Sequence, residues 1–144
     1  MGNWAAMTMD LERFVTAQDG LIDGVLAELR RGRKTGHWIW FVFPQIAGLG
    51  RSAMSERYAI TTLAEARAYV EHPVLGPRLV DCCRALLAHG NTAAADILGP
   101  IDALKVRSSM TLFRAAAPGE PVFAEVLDAF YHGVADELTL ARLG

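Results

Sequence analysis

The sequence predicts an all-α fold, a compact multi-helical array of about eight short helices in a single domain. Three observations carry this reading. Apolar residues recur at helical spacing along most of the chain, glycine and proline mark the joints, and no hairpin signal or second convincing strand exists. At 144 residues there is room for one core. A domain of that size buries roughly 70% of the surface its unfolded chain would expose, so it needs no metal or disulfide to be stable.

Leu11, Phe14 and Val15 follow Asp10, a plausible N-cap, so Asp10–Gln18 reads as the first helix. The domain is expected to span residues 9–144, with residues 1–8 a flexible N-terminus. Leu21, Ile22, Val25, Leu26 and Leu29 share one face of a second helix that ends in "RRGR", cations before a helix-stopping glycine. "HWIWFVF" is locally strand-like. Without a partner strand it could not satisfy its backbone groups, so it is expected as a short buried helix or irregular segment ended by Pro44.

"SAMSERYA" opens on the capping Ser52, and "TLAEARAYVEHP" is an alanine- and glutamate-rich helix with Pro73 beyond its end. "PVLGPRLVDCCRALLAHG" places Leu79, Val80, Cys83, Leu86 and Leu87 on one stripe and stops at Gly90. "TAAADILG" is a short turn of helix. "PIDALKVRSSMTLFRAAAPG" runs from Pro100 to Pro118, with Ile101, Leu104, Met110, Leu112 and Phe113 expected inside. "PVFAEVLDAFYHG" starts on Pro121 and is capped by Gly133, and "DELTLARL" closes the chain behind Asp136.

Composition excludes several classes. The net charge of −2 argues against general nucleic-acid binding, and 52% hydrophobic with 21% charged residues describes a globular chain. No window approaches the roughly 18 apolar residues of a membrane span. "MGNWAAMTMD" lacks the pattern of a signal peptide, and Ala6 stands where a myristoylation motif wants Ser or Thr. Cys82 and Cys83 are neighbours on one helix, where adjacent Cβ vectors diverge by roughly 100°, so both are expected to be reduced core residues. A cytoplasmic location fits.

Phosphate-binding loops, dinucleotide fingerprints, zinc-hydrolase and nucleophile-elbow motifs are absent, and no Cys/His spacing suits a metal. No cofactor or metal is expected. His72, His89 and His132 fall at helix ends, where imidazoles commonly cap. His37 differs, because it lies between Lys34 and Trp38 where a cationic, glycine-flanked turn meets buried aromatics. There Arg33 and Lys34 could hold a phosphate while Trp38 or Trp40 stacks a ring. The plainer alternative makes the tryptophans core and the cations a solvated helix terminus. Ser108 and Ser109 either bond back to carbonyls four residues earlier or face a polar cleft beside Lys105 and Asp102.

"RFVTAQ", "KTGHWIWFVFPQIAGLG", "RYAI", "HPVLGPRL" and "IDALKVRSSMTLF", in that order, resemble the family called domain of unknown function 1810, some of whose members carry an unfounded calpastatin label. The likeness covers about Leu11 to Leu143. It implies an all-helical array, placing "HWIWFVF" in a helix, and carries no established biochemical role. A more distant similarity, through an early Trp-rich segment, a Met-containing helix and the ending "FYHGVADELTL", is to NADAR (YbiA-like) N-glycosidases, although their T-x-E-H-x-F-Q block is missing here.

The expected function is binding of a small anionic, nucleotide-like ligand in a polar–aromatic cleft, with N-glycoside hydrolysis of ADP-ribose-type compounds as its extension. In that reading Gln18 and Gln45 give amide hydrogen bonds beside Arg33, Lys34, Trp38, Trp40, Lys105 and Ser108. His37 or Asp136 handles protons. The alternative is a non-enzymatic structural or interaction module. The oligomeric state is left open.

Overall fold

The structure, a computed structural model, describes residues 10–144. The expected flexible segment 1–8 and the domain start at Met9 lie outside the described residues. Among the described residues ten helices follow one another: α1 Glu12–Gln18, α2 Ile22–Arg30, α3 Ile39–Val42, α4 Ala53–Arg57, α5 Leu63–Glu71, α6 Leu75–Leu87, α7 Ala94–Leu98, α8 Pro100–Ala116, α9 Val122–Tyr131 and α10 Glu137–Leu143. Among the described residues the only sheet-like pairing is a single parallel bridge between Ile46 and Ile60.

The 17-residue α8 is the axis of the array. It packs against α3, α5, α7, α9 and α10, while α6 lies against α2, α5 and α9. Rings make the centre: Phe113 meets Tyr69 at 5.2 Å and Phe123 at 5.7 Å between centroids, and Tyr69 meets Phe14 edge-on at 5.1 Å. One buried cluster takes in residues from Phe14 to Leu127.

"HWIWFVF" forms the single turn α3. So short a helix leaves its carbonyls without partners of its own. The core supplies one to Phe41: Gln18 Nε2 donates to its carbonyl at 2.7 Å and to Tyr69 Oη at 2.9 Å. The chain then runs extended through Pro44. Ile60 N donates to the Gln45 carbonyl at 2.9 Å, and Ala47 N to that of Ile60 at 2.8 Å. The strand-like composition thus ends in one bridge.

Two expectations need correction. Asp10 is not the cap of α1: its φ is +38°, its carbonyl accepts from Arg13 Nη1 at 2.6 Å, and no side chain caps the helix. The guanidinium donates to the Asp10 carbonyl and leaves the first N–H groups of α1 without a side-chain acceptor. Ile101 and Leu104 are not inside, being 69% and 64% exposed. At about 100° per residue, the inward face set by Ala103, Val106, Met110 and Phe113 turns positions 101 and 104 to the opposite side.

Cys82 and Cys83 are both free and buried. Burial pushes the Cys82 thiol up to about 12 and Cys83 well above its ordinary value, which keeps both protonated and poorly nucleophilic. No helix among the described residues is long and apolar enough to cross a membrane.

Candidate functional site

The cationic turn between α2 and α3 is anchored from behind. Glu28, in the last turns of α2, accepts at Oε1 from Thr35 N at 2.7 Å, Gly36 N at 2.8 Å and the Trp38 indole N–H at 3.0 Å. Partial burial of Glu28 pushes its carboxyl up, but the hydrogen bonds from Gly36, Thr35 and Trp38 outweigh this and hold it below its ordinary 4.5. Lys34 N donates to the Ile97 carbonyl at 2.8 Å, fastening the same turn to α7. The glycines here do not leave the turn loose.

The depressed carboxyl has a consequence for stability. A group whose pKa is lower in the folded state stabilises the fold above its unfolded value and loses that contribution as pH falls through the folded one. Wild-type stability should therefore drop as pH falls below about 4.5, and Glu28→Ala should lose that portion of the drop. At pH 7 the variant should be less stable by about 2 kcal/mol. Denaturant titrations of both proteins between pH 3 and 7 measure the difference; parallel curves would contradict it.

Lys34 also reaches α8. Its Nζ lies 2.7 Å from Asp102 Oδ2 and 4.9 Å from the Trp38 ring centroid. Asp102 in turn faces Lys105, whose Nζ is 4.0 Å from Oδ1 and 5.3 Å from the Trp40 centroid. Two ammonium groups therefore share one carboxylate, leaving one positive charge, and Lys105 is the more loosely held partner. Among the described residues, the buried Trp40 indole nitrogen has no hydrogen-bond partner.

Lys105 lies on the outward face of α8. Ile101, Leu104, Lys105 and Ser108 repeat at i, i+3, i+4 and i+7, opposite the core face. That stripe forms one wall of a cleft of about 310 Å³, closed by Gln45, Leu49 and Gly50 on one side and by Asp136 and Leu138 on the other. A second cleft of about 490 Å³ shares Gln45 and Gly50 and lies along Arg51, Ser55, Thr61 and Arg142.

Gln45, Lys105, Ser108 and Asp136 thus meet around the smaller cleft. The side-chain amide of Gln45 makes no hydrogen bond among the described residues, so it is available there. Ser108 Oγ bonds back to the Leu104 carbonyl at 3.2 Å, while Ser109 Oγ, fully buried, finds no partner among the described residues. The Asp136 carboxylate caps α10, accepting from Thr139 N at 2.9 Å and Thr139 Oγ1 at 2.6 Å.

The other sequence-selected residues lie elsewhere. Gln18 is 1% exposed and its amide is spent on core partners, with Arg78 Nη1 at 3.4 Å from its oxygen. Trp38 is buried against Phe43, and neither it nor Trp40 lines the two clefts. Arg33 and His37 are exposed and line neither. Among the described residues, no group of three or more His, Cys, Asp or Glu could hold a metal ion.

Residues 8–143 match the family described as "Protein of unknown function (DUF1810)". The chain belongs to this family. A solved structure similar to this DUF1810 chain is that of the conserved hypothetical protein Rv1873 from Mycobacterium tuberculosis, at 46% identity and a TM-score of 0.92. The match covers 94% of this chain and 97% of that one. No curated protein matches the chain. The DUF1810 assignment thus fixes the lineage of the helical array and leaves the chemistry to be argued from the clefts.

Glu28, Arg51 and Arg142 escaped the sequence reading. Glu28 sits on an ordinary amphipathic helix, and nothing in one-dimensional spacing ties position 142 to position 48. The outward stripe on α8 did leave a signal, since a helix whose apolar residues cannot fit one face must present a second.

Proposed function

We propose that the smaller cleft binds a small anionic ligand with an apolar or planar body, of the nucleotide-like class. The observation that carries this reading is the convergence of Gln45, Lys105, Ser108 and Asp136 on one concavity walled by Leu49, Leu104 and Leu138. Lys105 offers charge to the anion, because Asp102 is already held more closely by Lys34. Low-dielectric walls strengthen that attraction compared with open water. The leucines would sandwich a flat group, taking the part that the sequence assigned to Trp38 and Trp40. Gln45 supplies both a donor and an acceptor for orientation.

N-glycoside hydrolysis gains no acid–base pair from this geometry. His37 lines neither cleft, which leaves Asp136, already capping α10 through Oδ2, without an acid–base partner there. The proposal accordingly stops at binding.

A thermal-shift screen against nucleotides and ADP-ribose derivatives tests it. A ligand at 100 times its dissociation constant adds about 2.7 kcal/mol, a rise of roughly 6–10 °C for a domain of this size. Lys105→Ala should weaken the best ligand by about tenfold or more, and added salt should weaken wild-type binding. Unchanged affinity in the folded variant would remove the assignment.

A protein-interaction role is the second reading, favoured by the exposure of Ile101, Leu104 and Leu138 around the same cleft. If no screened ligand shifts the melting temperature while Leu104→Asp changes the protein's association state, that reading replaces the first.

A further inference from the structure

The larger cleft, across the Gln45–Gly50 loop, has a different chemistry. It encloses about 490 Å³, and polar groups dominate its wall: Arg51, Arg142, Ser55, Glu56 and Thr61, with Gln45 at the shared edge. Among the described residues, neither guanidinium is paired with a carboxylate. Arg142 makes one hydrogen bond, from Nη2 to the Gly48 carbonyl at 3.3 Å. Two arginines against Glu56 leave one net positive charge. Guanidinium forks match phosphate oxygens in pairs, which an ammonium does not.

The loop is shaped to let these groups in. Gly48 has φ +97°, and a Cβ there would lie 2.6 Å from the Arg142 Cζ. A Cβ on Gly50 would lie 2.5 Å from Ser55 Oγ. A larger residue at either place would push the guanidinium or the hydroxyl away from the cleft wall. Ser55 Oγ accepts from Ser52 Oγ at 2.9 Å, so its own hydrogen is free to donate. Thr61 Oγ1 donates to Glu65 at 3.0 Å, which leaves its lone pairs to accept. Glu56 has no basic partner among the described residues, and both its carboxylate oxygens are open to accept.

Two cationic forks, a hydroxyl donor and several free acceptors suit one chemical class. We propose that this cleft binds a phosphorylated polyhydroxy compound, of the sugar-phosphate class. Arg51 and Arg142 hold the phosphate, Ser55 donates to it, and Glu56 and Thr61 accept from the hydroxyls. The site is separate from the smaller cleft, and the inference does not rest on the reading given to that one.

Isothermal titration of the full chain tests it with glucose 6-phosphate, glucose and inorganic phosphate as three separate probes. Glucose 6-phosphate should bind at least about tenfold more tightly than either fragment, since both halves of the wall are engaged only then. Arg51→Ala and Arg142→Ala should each weaken it by about tenfold or more, while Arg67→Ala, exposed on α5 and lining neither cleft, should match wild type. If Arg142→Ala does not fold, Arg142→Lys retains the charge without the fork and should still weaken binding measurably. Three results would overturn the proposal: no heat with glucose 6-phosphate, equal binding of inorganic phosphate, or a loss in Arg67→Ala with none in the Arg51 and Arg142 variants.

Discussion

Arg13→Ala should destabilise this protein by about 3–5 kcal/mol, a large share of the total for a domain of this size. Arg13 closes the array beside the larger cleft, whose lining includes Ala59 and Thr61. Its guanidinium donates to the carbonyls of Asp10 at 2.6 Å, Arg57 at 3.0 Å and Ala59 at 2.9 Å, and reaches Glu65 Oε2 at 3.3 Å. It also lies 4.4 Å from the Phe14 ring centroid. Glu65 is only 3% exposed, and its other oxygen accepts from Thr61 N at 2.8 Å and Thr61 Oγ1 at 3.0 Å.

Removing the arginine leaves a buried carboxylate without its cation and two inter-element carbonyls without their donor. Breaking a buried pair costs far more than an exposed pair contributes. Urea denaturation of wild type and Arg13→Ala measures the loss. Adding Glu65→Gln should recover part of it, because the uncompensated charge goes with the carboxylate. A loss below about 1 kcal/mol would mean that the pair behaves as an exposed one.

Neither partner was legible in the sequence. Arg13 and Glu65 stand 52 positions apart, and each reads as a solvated charge on its own helix. What the sequence did reveal were the properties that depend on neighbours in the chain. The helices from "LIDGVLAELR" onward announced themselves by apolar period and by Gly or Pro at their ends. "HWIWFVF" was legible as non-sheet because a lone strand cannot satisfy its own backbone, and α3 meets that constraint with Gln18.

Ile101 and Leu104 show the limit of the same logic. Treating an apolar residue as an inward one assumes a single buried face, and α8 has two working faces. On the outer face Lys105 and Ser108 meet Gln45 and Asp136, a grouping that residue type had suggested without any geometry. Gln18 was chosen for the same amide chemistry as Gln45, yet its partners are Phe41, Tyr69 and Arg78. A side chain's chemistry is local. Its orientation is decided by elements distant in the chain.

Gly76→Ala provides the second large effect, with an internal control of opposite sign. Gly76 sits in the first turn of α6, where that helix crosses the end of α5. A Cβ added there would lie 2.0 Å from the Val70 carbonyl oxygen and 3.0 Å from its carbon. Both are backbone atoms, so no side chain can rotate away, and α5 and α6 would have to part. Their separation would disturb Tyr69 and Leu79, both buried at the centre. Overpacking against movable neighbours costs about 1–3 kcal/mol, and against rigid backbone the loss should reach about 3 kcal/mol or more. Gly24 lies within α2 with nothing within 4 Å of an added Cβ. There the same substitution should stabilise by about 0.5–1 kcal/mol, since alanine has less conformational freedom to lose on folding. Thermal denaturation of the two single variants should therefore move the midpoint in opposite directions. A Gly76→Ala protein as stable as wild type would show that α6 does not need this close approach to α5.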